Sequence, residues 1–246
     1  MASSAILFDS SKCTACKGCQ VACKTWNQDK FEKTANSGSN QNPPALSPLT
    51  RTIIRFNETD VDDTNKIIWT FLKDSCRHCV TPPCEAYANE VCNVSDAVRI
   101  TDYGAVVYTA NSAKVKDLGD ACPYGVPKQE KPGAPYVKCT MCFDRISNGL
   151  KPACVTACPP NALEFGPRDE IIKLAKERLA KIKDRYPDAH LHDDYEDVSV
   201  IYLLTHKNET YQNLVCADHG KIRTVSRRDF LKQIKLARRI TNMLNV

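Results

Sequence analysis

Cysteines in regularly spaced runs are the chemically most informative residues of this 246-residue chain, which contains fourteen of them. The runs are Cys13-x-x-Cys16-x-x-Cys19-x-x-x-Cys23, then Cys76-x-x-Cys79-x-x-x-x-Cys84 with a later Cys122, and finally Cys139-x-x-Cys142 with Cys154-x-x-x-Cys158. Such spacing is typical of thiolate ligands to iron–sulfur clusters. In two-cluster ferredoxins, the fourth cysteine of one run binds the cluster of the other run. This crossing rule predicts which cysteines meet in space.

The crossing rule divides twelve of the cysteines into three sets of four, and each set suits one 4Fe–4S cluster. The sets are Cys13, Cys16, Cys19 and Cys158 (first set); Cys23, Cys139, Cys142 and Cys154 (second set); and Cys76, Cys79, Cys84 and Cys122 (third set). Cys92 and Cys216 are left over, and we predict that neither binds a cluster.

Four absent cysteines form a pattern of their own. A full second run would carry a fourth cysteine where Ala88 stands. A full run ending at Cys122 would carry three more, and the residues at those places are Ser112, Val115 and Leu118. By the crossing rule these four missing ligands all belong to one cluster. The sequence therefore indicates a four-cluster protein that has lost one whole site, with mostly apolar side chains filling the vacated space.

Other chemistries of cysteine fit the spacing less well. Structural zinc sites use paired C-x2-C motifs, which do not explain runs of three with a crossed fourth ligand. Disulfide frameworks belong mainly to small secreted domains. A c-type haem requires His after C-x-x-C, where this chain has Lys17, Val80 and Phe143. We predict no zinc, no haem and no nucleotide.

The formal net charge of +5 has an explanation in the same clusters. An oxidised cluster with four thiolates carries about −2, so three would bring the total to about −1. No nucleic-acid partner is therefore predicted. Positive charge beside a cluster raises its reduction potential, and six basic residues lie within three residues of a ligand in sequence, although each of them also fits a solvated surface position. They are Lys12, Lys17, Lys24, Arg77, Lys138 and Arg145.

The remaining sequence predicts short elements around these runs. Strands are expected at residues 5–8, 52–56, 67–72 and 198–204, with a hairpin of residues 97–100 and 105–109. A loop is expected at residues 36–48, and helices are expected at residues 170–186 and from Ser226 onward. Asp193 and Asp194 beside His190 and His192 offer metal ligands, but a solvated loop is the favoured interpretation. No apolar stretch approaches the roughly 20 residues of a membrane span.

These elements predict an α+β fold of two nested bacterial-ferredoxin-like modules. The outer module, residues 1–70 plus 128–167, would carry two clusters. The inserted module, residues 71–127, would carry one cluster beside the lost site. Residues 168–246 would form a helical C-terminal extension that serves as scaffold or docking surface.

The runs and their neighbours resemble a known family. The residues that carry the resemblance are CTACKGCQVAC at 13–23, QNPP at 41–44, CRHC at 76–79, ACPY at 121–124 and NGLKPACVTACP at 148–159. They resemble the iron–sulfur (beta) subunits of molybdopterin oxidoreductases, most closely those of soluble tungsten or molybdenum formate dehydrogenases of sulfate-reducing bacteria. The resemblance covers most of residues 1–205. Membrane-bound members carry a fourth cluster and a C-terminal membrane helix, both of which this sequence lacks.

The resemblance implies a non-catalytic electron-transfer subunit in a heterodimer with a large molybdopterin-containing catalytic subunit. The external acceptor would be a soluble protein such as a multihaem cytochrome c. The location would be the periplasm, by co-export with the catalytic subunit, with the cytoplasm as the alternative. The alternative functions are those of a subunit of another pterin enzyme (a polysulfide, sulfoxide or nitrate reductase), of a free-standing polyferredoxin, or of a zinc-stabilised interaction protein.

The lost site also predicts a direction for electron flow. A chain of clusters conducts poorly without a middle member, so the lost site should have been the distal end. The third set then holds the exit cluster. Arg77 and His78 lie between two of its ligands, where they would either sit near the docking face or simply pack or hydrogen-bond near sulfur.

Overall fold

The computed structural model describes residues 3–35, 40–61 and 66–215, which form short strands and helices around a four-stranded sheet. The strands are β1 (Ser4–Asp9), β2 (Ile53–Val61), β3 (Lys66–Asp74), β4 (Val98–Ile100), β5 (Val106–Tyr108), β6 (Lys128–Gln129), β7 (Tyr136–Val137), β8 (Leu163–Pro167), β9 (His190–Leu191) and β10 (Val200–Leu204). The α-helices are α1 (Gly18–Trp26), α2 (Pro83–Ala86), α3 (Phe143–Ile146), α4 (Ala153–Thr156), α5 (Arg168–Ile182) and α6 (Asn208–Val215). A π-helical turn (Tyr87–Val91) follows α2, and a 3₁₀ turn (Ala110–Lys114) follows β5. Cys216 and the helix predicted from Ser226 lie outside the described residues.

The four-stranded sheet joins the two ends of the described chain. Its strand order is β8-β1-β10-β9, with β1 parallel to β10 and antiparallel to β8. Every residue of β1 and of β10 is buried, which agrees with the apolar runs at residues 5–8 and 200–204. The predicted strands at 5–8 and 198–204 are thus confirmed, and they form the centre of the sheet.

The two faces of the sheet have different coverings because successive side chains of a strand point in opposite directions. Ala5 and Leu7 face α5, where they pack against Ile171 and Ala175. Phe8 and Tyr202 face the opposite way, with their rings edge to face at 5.5 Å, into the core that also contains cysteines of the outer runs. The cysteine loops therefore rest on one face of a sheet that a helix covers on the other.

The predicted helix at 170–186 is confirmed with shifted ends, since α5 begins at Arg168 and ends at Ile182. Its predicted inward residues all contact the core beneath it. They are Ile171, Ile172, Leu174, Ala175, Leu179 and Ile182. The described part of the predicted C-terminal extension also supplies β9 and β10, so this part is mixed and not purely helical. Among the described helices, none combines the length and the apolarity that a bilayer crossing requires.

Within the described residues, three hairpins lie between the cysteines of successive runs: β2 with β3, β4 with β5, and β6 with β7. β2 and β3 pair antiparallel over their full lengths and deliver the chain to Cys76. β2 continues past its predicted end at Phe56. Its polar second half still pairs with β3, because the hydrogen bonds between strands are made by the backbone and do not require apolar side chains. β4 and β5 form the hairpin that the sequence predicted, with slightly shorter strands.

Candidate iron–sulfur sites

The three C-x-x-C loops share one local conformation. In each loop the residue directly before the second cysteine has a left-handed backbone: Ala15 (φ 53°), His78 (φ 50°) and Met141 (φ 58°). The backbone N–H of each donates to the Sγ of the first cysteine at 3.4 Å. Each loop thus aims one N–H donor at a sulfur, an arrangement that stabilises thiolate and cluster charge.

The first set combines three cysteines of the first run with the last cysteine of the last run. Burial, together with the neighbouring charges of Cys158 and Cys16, raises the pKa of the Cys13 thiol to about 11. Burial also raises the pKa of Cys19 to about 12, and Cys13 and Cys158 act on it in the same direction. Cys158 therefore lies beside Cys13 and Cys19, although it is remote from them in sequence. Cys16 is the exposed member of this set.

The second set shows the reciprocal crossing. Burial, followed by the charges of Cys139, Cys154 and Cys142, raises the pKa of Cys23. The pKa of Cys142 rises to about 12, again through burial first and then through Cys139 and Cys154. The last cysteine of the first run thus lies among cysteines of the last run. Helix α1 connects the first and second sets, because its two buried residues are Cys19 of the first set and Cys23 of the second.

The third set lines one enclosed cavity. Its walls are formed by Cys76, Arg77, Cys79, Pro82, Pro83, Cys84, Val106, Tyr108, Cys122, Pro123, Tyr124 and Lys138. Burial raises the pKa of Cys122 to about 12, and the charges of Cys76 and Cys84 add to it. Cys79 has a raised pKa for the same reasons, with Cys122 among the neighbours. All four predicted ligands therefore meet at one cavity.

These donor sets fit 4Fe–4S clusters in number and chemistry. Each set provides four sulfurs, and in each set one C-x-x-C loop directs a backbone N–H at a sulfur. Within the part of the chain that the structure describes, no three His, Cys, Asp or Glu side chains converge closely enough for a single metal ion. A four-iron cluster binds each thiolate at a different iron, so its ligands need not converge on one atom. Thiols of raised pKa are protonated near neutral pH, and cluster binding must displace those protons.

The positions of the missing cysteines lie together in a separate core. Ala88, Val115 and Leu118 are fully buried and pack in one apolar group that includes Cys84. Ser112 is also fully buried, where its hydroxyl donates to the Thr109 carbonyl at 2.7 Å and accepts from the Tyr136 N–H at 3.1 Å. Packed side chains thus fill the positions at which the crossing rule expects further ligands. Cys92 is partly exposed and packs against the same group.

Arg77 and His78 are buried, and Arg77 forms part of the wall of the third-set cavity. Arg77 stacks its guanidinium on the Tyr202 ring at 3.6 Å, and its backbone carbonyl accepts from Val200 N–H at 2.9 Å. His78 accepts the Val106 N–H at Nδ1 (3.0 Å), while its buried Nε2 has no hydrogen-bond partner among the described protein atoms. Whether these two residues lie near a docking face stays a prediction.

The loop of His192 and Asp194 also differs from its prediction. Asp194 is buried, where its carboxylate accepts from Tyr124 Oη at 2.7 Å and bonds His192 Nδ1 at 2.6 Å. Burial alone raises the pKa of Asp194, but the Arg77 charge and these hydrogen bonds hold the pKa well below its usual range. A solvated loop was therefore the wrong interpretation for Asp194, since a buried cation makes its burial favourable. This carboxylate connects the third-set loop to the sheet.

Sequence reasoning missed one buried residue near the sulfurs, Lys73. This lysine at the end of β3 is 1% exposed, and its charge acts on cysteines of both outer sets. The available signal was a lysine at the end of an apolar strand, three residues before a cysteine run. Of the six basic residues singled out, Arg77 and Lys138 are buried, so for these two the surface alternative is wrong. Lys12 is exposed, as that alternative has it.

The fold and the thiol sets define an iron–sulfur protein of the ferredoxin-like class. In agreement, the family model of the 4Fe-4S dicluster domain matches residues 67–168. The chain is similar to formate dehydrogenase 2 subunit beta (cytochrome c-553) of Nitratidesulfovibrio vulgaris, with 45% identity over 212 residues that cover 84% of this chain and 95% of the relative. It is also similar to the formate dehydrogenase subunit beta of Megalodesulfovibrio gigas, with 42% identity over 221 residues that cover 87% and 100%.

A more distant relative is the iron-sulfur subunit of the nitrate-inducible formate dehydrogenase of Escherichia coli, with 36% identity over 209 residues that cover 82% of this chain and 68% of the relative. The chain belongs to the family of iron–sulfur (beta) subunits of formate dehydrogenases.

Proposed function

We propose that this chain is the electron-transfer subunit of a formate dehydrogenase and that it carries three 4Fe–4S clusters. The observation that carries the proposal is the meeting of all four third-set cysteines at one buried cavity, with the crossed proximities of the two outer sets. When bound, each cluster would accept and release one electron at a time. The chain's own residues hold the sulfurs, exclude water from them and place charges beside them.

The proposed ligands are the three sets defined above, and their contacts support a linear order. Cys19 of the first set and Cys154 of the second set lie close enough for their charges to interact. Cys139 of the second set packs against the apolar group that contains Cys76 of the third set. The second set is therefore the middle one. Electrons would enter at the first set, whose Cys16 is exposed, and leave at the third.

The proposed partners lie at the two ends of this order. A large catalytic subunit with a molybdenum or tungsten pterin would oxidise formate to carbon dioxide or run the reverse, and it would deliver or withdraw electrons at the first set. A soluble acceptor such as a multihaem cytochrome c would meet the third. The name of one relative carries the words cytochrome c-553, which supports a haem protein as acceptor. We further propose a periplasmic location, reached by co-export with the catalytic subunit.

The domain organisation proposed with this function is a nested one. An outer module of residues 1–70 and 128–167 would hold the first and second clusters, and residues 71–127 would hold the third. The apolar core around Leu118 supports this division, because it provides the inserted segment with packing of its own.

Anaerobic iron and acid-labile sulfide analysis of the purified complex tests the cluster number. We expect about twelve irons and about twelve sulfides for this chain, after subtraction of the separately analysed catalytic subunit. About sixteen irons would overturn the interpretation of a lost site. Zinc in place of iron would overturn the function itself.

A further inference from the structure

Tyr108 has a buried hydroxyl group that its immediate protein surroundings do not explain. It is the last residue of β5, and its side chain packs against the apolar core that contains Val98 and Val106. Its Oη is buried and has no hydrogen-bond partner of ordinary geometry among the described protein atoms. A buried hydroxyl without a partner is destabilising, and the hydroxyl of a buried tyrosine usually has one. The position of this hydroxyl therefore calls for an acceptor nearby.

Sulfur atoms are the acceptors that the surroundings of Tyr108 offer. Its side chain forms part of the wall of the third-set cavity, together with Cys76, Cys79, Cys84 and Cys122. Burial raises the pKa of the Cys84 thiol, and the phenol of Tyr108 opposes this increase, as expected for a donor near that sulfur. The phenol thus lies at the cavity that unites the four proposed ligands.

Neighbouring groups hold the Tyr108 ring in this position. Lys138 Nζ lies 4.6 Å from the ring centroid, while it donates to the carbonyls of Cys139 and Val106. On the backbone side, β5 pairs with β4, with Tyr108 opposite Val98. The hydroxyl is therefore fixed in advance, and little conformational freedom is lost when it donates a hydrogen bond.

We propose that the hydroxyl of Tyr108 donates a hydrogen bond to a sulfur of the third site and thereby raises the reduction potential of the cluster bound there. This inference rests on the proposed function, since it takes the third set as cluster ligands. An added electron makes the sulfurs more negative, so a donor stabilises the reduced form more than the oxidised form. Within an enclosed cavity such a bond is stronger than it would be in water.

The test is a redox titration of the assembled complex, monitored by electron paramagnetic resonance, with Tyr108→Phe. Phenylalanine keeps the ring and removes only the hydroxyl. We expect the one-electron reduction equilibrium of the third cluster to weaken about fivefold, which corresponds to a decrease of about 40 mV in its potential. The first and second clusters should change by no more than about twofold, because a hydrogen bond acts only at short range. The signal of the third cluster is identified by its absence in a Cys122→Ala background.

Tyr124→Phe is the matched control. The Tyr124 side chain lines the same cavity, but its hydroxyl donates to the Asp194 carboxylate at 2.7 Å. Loss of that hydroxyl should leave the third cluster within about twofold of wild type, since no donor to sulfur is removed. Replacement of Tyr108 by 4-aminophenylalanine keeps an N–H donor at the end of the ring and should restore the equilibrium to within about twofold of wild type.

The outcomes separate this proposal from the proposed function. With iron content unchanged, an unchanged or higher potential of the third cluster in Tyr108→Phe would overturn the role of the hydroxyl, as would an equal shift of all three clusters or an equal shift in Tyr124→Phe. If Tyr108→Phe loses the third cluster while the 4-aminophenylalanine variant keeps it, the requirement for a donor is supported. Loss of that cluster in both variants would make Tyr108 a packing residue and overturn the proposal. Failure of the proposed function would show earlier, as a wild-type complex without three titrating clusters.

Discussion

The third-set cavity and the apolar core beside it are adjacent regions with opposite contents. Cys84 belongs to both, since it lines the cavity and also packs with Ala88, Val115 and Leu118. The cavity is lined by four sulfurs. The apolar core contains one hydroxyl and three apolar side chains at the positions where a second cluster of this module would have its ligands. On the proposed interpretation of a lost site, packed side chains replace the volume that the second cluster would have occupied.

The two regions also differ in what surrounds them. Buried charged and polar groups back the cavity, among them Arg77, Lys138 and the Asp194 carboxylate. Apolar contacts and the internal hydrogen bonds of Ser112 stabilise the filled core. Substitutions in the first region should consequently change metal content or respond to pH, and substitutions in the second should change stability alone.

The largest effect is expected from Cys122→Ala. This variant removes one sulfur from the cavity and should cost about four of about twelve irons. Reduction of the external acceptor should stop, because the third cluster is the proposed exit, while substrate still reduces the other two clusters. Iron analysis and spectra after addition of formate measure both effects. An assembled variant in which formate reduces none of the clusters would instead place the entrance at the third set.

A large effect of another kind is expected from Leu118→Ala in the filled core. Leu118 is fully buried, so the deletion should lower the free energy of unfolding by about 2–5 kcal/mol through lost burial and the cavity left behind. Iron content should stay at the wild-type value. Anaerobic denaturant unfolding measures the change, and Leu150→Ala, at a site 50% exposed, is the control within about 0.5 kcal/mol of wild type. Loss of iron in Leu118→Ala would mean that the two regions are not independent.

A smaller effect with a pH signature is expected from Asp194→Asn. The variant weakens the bonds to Tyr124 and His192 and removes the charge beside Arg77, at a cost of about 1–3 kcal/mol at pH 7. Because the folded pKa of Asp194 is lowered, its contribution is fully present above the unfolded value near 3.8 and disappears as the pH falls through the folded value. Unfolding rates after rapid pH jumps should therefore show a difference from wild type at about pH 5 that shrinks below about pH 4. Leu118→Ala should show no such convergence.

The smallest effect is expected from the leftover thiols. Cys92 packs at the edge of the filled core and lies outside the three sets, so Cys92→Ser should keep the full iron content. The same holds for Cys216→Ser, whose position lies outside the described residues. Iron analysis beside Cys122→Ala gives the direct comparison. Loss of about four irons in either serine variant would show that a ligand has been assigned to the wrong cysteine.

Much of the candidate site was predictable because cysteine spacing is a local property of the chain. Short loops such as those at Cys13, Cys76 and Cys139 can place their sulfurs in only a few ways, and the crossing rule then names the partners. The filled core was predictable too, since absent ligands stand at fixed distances from those that remain. The central strands and α5 could be found from apolar runs and helical periodicity.

Burial of the charged residues was decided only by the tertiary structure. The sequence shows Lys73, Lys138 and Asp194 as ordinary charged residues near loops, and each fits a solvated surface position equally well. Whether water reaches them depends on segments far along the chain, above all on β10, which pairs with β1 across almost the whole described sequence. A cation becomes tolerable inside only where folding brings thiolates or a carboxylate to it, and that coincidence of distant groups has no signature in local spacing.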